Sequence, residues 1–128
     1  MKLLLDTHLL IWAAKDLPRL SAAARALMLA PENERFFSVC SLWEVAIKTA
    51  LSRQDVVADA TDFRDLMLAN GYQELPILAS HALYTSKLPA IHRDPFDRLL
   101  VAQALVEGLT LLTSDATVAS YSAAIVRV

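Results

Sequence analysis

The sequence predicts a three-layer α/β/α domain built on a mostly parallel sheet of about five strands. Two observations carry this. Short apolar runs alternate along the chain with segments of helical period, so strands are joined by crossovers, and crossovers make neighbouring strands parallel. The strand runs are also apolar at successive positions, as strands covered on both faces must be.

Residues 2 to 5 (KLLL) read as a buried strand, followed without a long loop by a helix over 8 to 14. Ser21 caps an alanine-rich helix, AAARALMLA, which Pro31 ends. RFFSV (35 to 39) is a short strand and 42 to 52 a helix. Thr61 and Asp62 start a further helix that Asn70 and Gly71 stop. QELPI (73 to 77) is a strand with Pro76 inside it, which confines it to a sheet edge. Residues 80 to 87 are helical, 96 to 107 form a longer helix ending before Gly108, and LTLLT (109 to 113) is a buried strand. A helical turn then leads to a last strand, AAIVRV (123 to 128). No linker, repeat or charge block divides the chain, so residues 1 to 128 are expected to form one domain.

Composition narrows the function classes. The chain is 55% hydrophobic and 20% charged, rich for a small domain that must cover its own surface, so part of that surface is expected to meet another chain. A net charge of −2 excludes bulk attraction to nucleic acid, leaving local features to draw any polyanion. The apolar start is not read as a secretory signal, because Asp6 and His8 interrupt it and no small-residue cleavage site follows. No run approaches the roughly 18 apolar residues of a membrane span. Cys40 is the single cysteine and has no intramolecular partner. A cytoplasmic protein is the expectation.

Four acids fall where the carboxyl ends of strands are expected. Asp6 follows the first strand; Glu44 lies in the first turn after RFFSV; Asp115 follows LTLLT; Asp97 begins the helix that feeds LTLLT. Each has an ordinary explanation. Ser41 to Glu44 has the spacing of a capping box. Asp94, Pro95 and Asp97 suit the N-cap, N1 and N3 positions of a helix, and Asp115 suits the cap of the last one. Asp6 fits capping worst, flanked as it is by apolar residues. Capping does not, however, require all four to point into one crevice, and ligands of open α/β sheets collect at that edge. Converging carboxylates repel unless a cation neutralises them, and an all-oxygen set suits Mg²⁺ or Mn²⁺ rather than Zn²⁺. Such ions serve phosphoryl-transfer chemistry.

LLLDTHLLIW, SLWEVAIK, HRDPFDRLLVAQA and LLTSD, in this order, resemble a PIN-domain ribonuclease of the kind found as the VapC-like toxin of toxin–antitoxin pairs. The likeness runs from Lys2 to Asp115, and DPFDRLLVAQA is its most specific part. It implies a sheet of order 3-2-1-4-5, which agrees with an edge position for Pro76. It implies that Asp6, Glu44, Asp97 and Asp115 form the acidic quartet. Asp6 and Asp97 would be the principal Mg²⁺ or Mn²⁺ ligands, with Glu44 and Asp115 completing the site directly or through water. It further implies hydrolysis of RNA to 5′-phosphate and 3′-hydroxyl ends, a homodimer, and a small antitoxin whose tail blocks the crevice. One departure is ALSRQD after the second helix block, where related sequences often carry a glycine.

Neighbouring residues have two readings each. Lys48, four residues after Glu44, is either a helical ion pair or a phosphate contact. Arg93 and Arg98 flank the Asp94 to Asp97 turn as solvated surface or as phosphate contacts. Thr7 and Thr113 sit at strand ends, where a hydroxyl orients a carboxylate or caps a turn. His8, His81 and His92 are read as satisfied or exposed imidazoles. Trp12, Trp43 and Phe96 are read as core, with base stacking the minority reading for Trp43. A phosphorelay receiver would need an acid pair after strand one and a lysine at strand five, where this chain has Arg127. Gly71 and Gly108 alone cannot build a phosphate loop. A PIN-like fold used only for binding is the strongest non-enzymatic alternative, and it would have no need to hold an ion.

Overall fold

A computed structural model describes residues 1–15, 18–51 and 59–128. In chain order the elements are β1 (Lys2–Leu5), α1 (Thr7–Ala14), α2 (Ala22–Leu29), β2 (Glu34–Ser38), α3 (Val39–Leu51), α4 (Ala60–Ala69), β3 (Gln73–Leu75), α5 (Ala79–Tyr84), a 3₁₀ turn (Thr85–Lys87), α6 (Pro95–Glu107), β4 (Thr110–Thr113), α7 (Ala116–Ala119) and β5 (Val126–Arg127). The strands form one sheet in the order 3-2-1-4-5, and every neighbouring pair is parallel.

The period of a strand divides the core. Leu3 and Leu5 join Leu9, Leu10, Phe37, Phe63 and Leu112 on one face of the sheet. Leu4 turns the other way, to Leu100, Val101, Leu109 and Leu111. Every leucine of β1 is fully buried, which is why KLLL shows no alternation in sequence. β3 is an edge strand and ends at Leu75, one residue short of Pro76, which has no N–H to give a ladder.

Several boundaries differ from expectation, and each difference has a local cause. α3 begins at Val39, directly out of β2, so Ser41 lies inside the helix and the capping box with Glu44 does not form. Ser38 supplies the side-chain oxygen instead, its Oγ accepting the Cys40 N–H at 2.9 Å. α4 begins at Ala60 because Asp59 caps it, accepting from the Asp62 N–H at 2.9 Å. β5 is confined to Val126–Arg127, since a turn from Ser122 to Ile125 occupies the earlier part of AAIVRV. The expected end of the helix at 52, and the part of ALSRQD beyond Leu51, lie outside the described residues. Trp43, read as core, is 55% exposed, its ring edge-on to Phe96 at 5.1 Å between centroids.

α6 stops at Gly108, whose φ of 67° is left-handed, and its N–H returns to the Ala104 carbonyl. A Cβ at this position meets nothing within 4 Å, so the backbone angle is the whole cost of adding one. Gly108→Ala is therefore expected to lower stability by about 1 kcal/mol in a denaturant melt, without altering the packed core.

Candidate active site

The site starts from the absence of a loop after β1. Asp6 N–H donates to the Leu112 carbonyl at 3.1 Å, and the next residue is already helical, so Asp6 is both the last contact of the sheet and the N-cap of α1. Its Oδ1 accepts the Leu9 N–H at 2.9 Å and its Oδ2 the Thr113 hydroxyl at 2.6 Å. Asp6, which from sequence fits capping least, is thus a cap. Thr113 also accepts the Asp115 N–H at 3.0 Å, so one hydroxyl ties the first acid to the last.

Glu44 is 1% exposed, one and a half turns into α3. Lys48 Nζ lies 2.6 Å from its Oε2, as the spacing of four residues allows. Its Oε1 is buried and has no hydrogen-bond partner among the described residues. Asp97 stands at N3 of α6, behind Asp94 at the cap and Pro95 at N1. Asp115 caps α7, its Oδ1 accepting the N–H groups of Thr117 at 2.7 Å and Val118 at 3.3 Å.

Asp6, Glu44 and Asp97 act on one another electrostatically. Burial pushes the Asp97 carboxyl up to about 7, with Asp94, Glu44 and Asp6 adding to the rise and His92 opposing it. Burial also raises Asp6, against the hydrogen bonds from Thr113 and Leu9, and Glu44 raises it further. Even the buried Cys40 thiol is pushed up to about 12, by burial first and then by Glu44, Asp97 and Asp94. Asp115 differs: partial burial works upward, but the Thr117 and Val118 N–H groups and His92 outweigh it and hold the carboxyl below its ordinary range.

His92, read from sequence as a bystander, stands at this site. Its Nε2 lies 3.4 Å from Asp97 Oδ2 and 3.7 Å from Asp115 Oδ2, and its Nδ1 accepts the Asp94 N–H at 3.0 Å. The three groups could together hold a metal ion by spacing alone. The one sequence signal was a histidine two residues before an Asp-Pro cap. Arg98, expected as a phosphate contact or solvated surface, is held by the chain itself. It donates to the carbonyls of Pro89 at 3.0 Å and Thr85 at 2.8 Å and to Tyr121 Oη at 3.1 Å, and that Oη accepts the His92 N–H at 2.7 Å. Arg93 is exposed. His81 is fully buried away from these acids, with Gln103 and Glu107 as partners.

With divalent ions chelated, stability is expected to fall as pH rises from about 4 through 7. A carboxyl whose folded pKa is raised binds its proton more tightly when folded, so its stabilisation is complete below the ordinary value of 3.8 and is lost on ionisation near 7. Asp115 acts in the opposite sense, but only below its ordinary value. Thermal melts of wild type and Asp97→Asn across this range isolate the contribution, since the amide removes it; parallel pH dependences for the two proteins would refute it.

Comparison with known proteins agrees with the fold. The VapBC2 complex of Rickettsia felis, bound to a DNA fragment from its promoter, contains a chain similar to this one at a TM-score of 0.73 and 18% identity, over 100% of this chain and 98% of that one. The Klebsiella pneumoniae toxin–antitoxin complex gives 0.65 and 21%, over 96% and 94%. FitAcB of Neisseria gonorrhoeae gives 0.65 and 18%, over 98% and 96%. No curated protein matches the chain. Among the described residues no helix is long and apolar enough to cross a membrane. Residues 3–123 match the PIN domain, and the chain belongs to that family.

Proposed function

We propose that the protein is a divalent-metal-dependent endoribonuclease and the toxin of a toxin–antitoxin pair, with Asp6, Glu44 and Asp97 holding the ion and Asp115 at its outer side. The observation that carries this is Glu44 Oε1, a buried carboxylate oxygen with no partner among the described residues. Leaving a charged oxygen buried and unpaired costs several kcal/mol, and a cation removes that cost. The mutual destabilisation of Asp6, Glu44 and Asp97 has the same remedy. All three donors are oxygens, which fits Mg²⁺ or Mn²⁺.

When bound, such an ion polarises the phosphate and lowers the pKa of a water for in-line attack. The chain supplies the positions. Thr113 and the Leu9 N–H fix the Asp6 carboxylate and leave each of its oxygens a free lone pair. Lys48 balances one oxygen of Glu44 and, 52% exposed, also faces the solvent from which a phosphate arrives. Arg93 offers a second cation there, and the Trp43 ring, beside Glu44 and against Phe96, offers a face to a base.

The partner reading rests on the complexes formed by the similar chains, which pair toxin with antitoxin. A groove of about 300 Å³, lined by Leu20, Met28, Leu29, Leu66, Met67 and Tyr72 with Arg25, Arg35 and Asn70 among them, suits an amphipathic segment of such a partner. Leu78, Leu83 and Ile91 are exposed at the cap of α5, within it and in the segment after it, which supports self-association of the free toxin.

Asp6→Asn and Asp97→Asn are expected to lose metal-dependent RNA cleavage by more than about a hundredfold, since even outer-shell partners of a metal cost ten- to a hundredfold. Calorimetric titration with Mn²⁺ should show the matching loss of binding in both, and a weaker loss in Glu44→Gln. Folded variants that cleave and bind as the wild type does would end the proposal.

A further inference from the structure

We propose that His92, given an ion held by Asp6, Glu44 and Asp97 as in the reading above, is a positioning residue whose Nε2 edge stands within ion-pair distance of both Asp97 and Asp115, where a second ion would otherwise sit, so that the site takes a single ion.

By spacing alone the His92, Asp97 and Asp115 triad looks like three ligands of one cation. Donors about 2.1 Å from an octahedral ion lie about 3 Å apart when adjacent and about 4 Å apart when opposite, and the observed separations of 3.4 and 3.7 Å fall between. The far edge of the ring decides otherwise. Nδ1 accepts the Asp94 N–H, so its lone pair is in use there and the imidazole proton is on Nε2, facing the two carboxylates. Coordination through Nε2 would need that proton moved to Nδ1, where it would collide with the Asp94 N–H. Turning the ring over sets carbon-bound hydrogens against both neighbours and loses both interactions.

The ring is also held in place from behind. Its backbone N–H is bonded to Tyr121 Oη, which takes a second bond from Arg98, and Arg98 in turn pins the chain at Thr85 and Pro89. Asp115 has one oxygen left to give an ion, and it is the one that faces the imidazole. Both lone pairs of its Oδ1 are taken by the Thr117 and Val118 N–H groups, and its Oδ2 faces His92. His92 faces Oδ2 of Asp97, so Oδ1 is the atom that would serve an ion held with Asp6 and Glu44.

The test counts Mn²⁺ bound at saturation by the full chain, using the electron paramagnetic resonance signal of the free ion, for wild type, His92→Ala and His92→Gln. The wild type should bind a single ion. His92→Ala, which bares Asp97 and Asp115 to each other, should take up a second. His92→Gln, whose amide can donate to the same oxygens, should keep the wild-type count. A second ion in the wild type, or a single one in His92→Ala, overturns the proposal. Independently of how the variants fold, long-range ¹H–¹⁵N spectra of the wild type should show Nε2 still protonated at Mg²⁺ saturation, and loss of that proton overturns it too. No ion bound by the wild type, or full binding by Asp6→Asn, instead strikes down the underlying reading of the site.

Discussion

A buried carboxylate at the point where β1 becomes α1 is the constraint on which the rest of this structure depends. Asp6 is 5% exposed, and a charge so placed is tolerated only when its hydrogen-bonding capacity is used. Here the bonds that satisfy it also build the fold. One starts α1 and so aims that helix back over the sheet; the other crosses to Thr113 and ties the end of β1 to the end of β4. Because Thr113 then receives the Asp115 N–H, the position of Asp115 is tied to the same acid.

The convergence of the other acids follows from strand direction. In a fully parallel sheet every strand finishes on one edge, so residues just past β1, β2 and β4 are brought together without any contact in sequence. β1 lies at the centre with β2 on one side and β4 on the other, and the chain reverses its direction of travel across the sheet there. Asp6 occupies that switch point. α3 leaves β2 without a connecting loop, and the same economy that removes the capping box carries Glu44 into the buried crevice. Asp97 arrives from a helix end rather than a strand end, held by the Asp94 cap and Pro95.

What could be read in the sequence was what local chemistry dictates. KLLL and TLLT declare themselves as strands because both faces are buried, and Asp94-Pro95 declares a helix start because cap and ring act within a few residues. The edge position of Gln73–Leu75 followed from the missing N–H of Pro76. The four acids stood out by their places at strand ends and a helix start, whereas the strand order and their role as a quartet came from the family resemblance, since nothing in a period or a cap states which strands are neighbours. What stayed hidden depends on partners distant in the chain. Ser41 has the right spacing for a cap, but its hydroxyl is bonded to Thr7 across the crevice at 2.9 Å, inside a helix that began earlier. Arg98 looks like a surface cation until Tyr121 and two loop carbonyls surround it. His92 carries no signal at all apart from its place before the turn.

The same contacts argue for the charge the site is built to receive. Asp115 is already served by the first N–H groups of α7 and by His92, so it adds little uncompensated charge. Among the described residues, the lysine or arginine that pairs with Asp6, Glu44 or Asp97 is Lys48, and it pairs only with Glu44. Three carboxylates less one ammonium leave a deficit that one divalent ion cancels. A monovalent cation would leave part of the repulsion that raises the Asp97 carboxyl in place, and a second divalent ion would reverse the sign of the pocket. On the proposed reading the pairing of Lys48 with Glu44 is more than an ordinary surface ion pair: by taking one oxygen and leaving the other bare, it would set both the charge left for an ion and the oxygen that meets it.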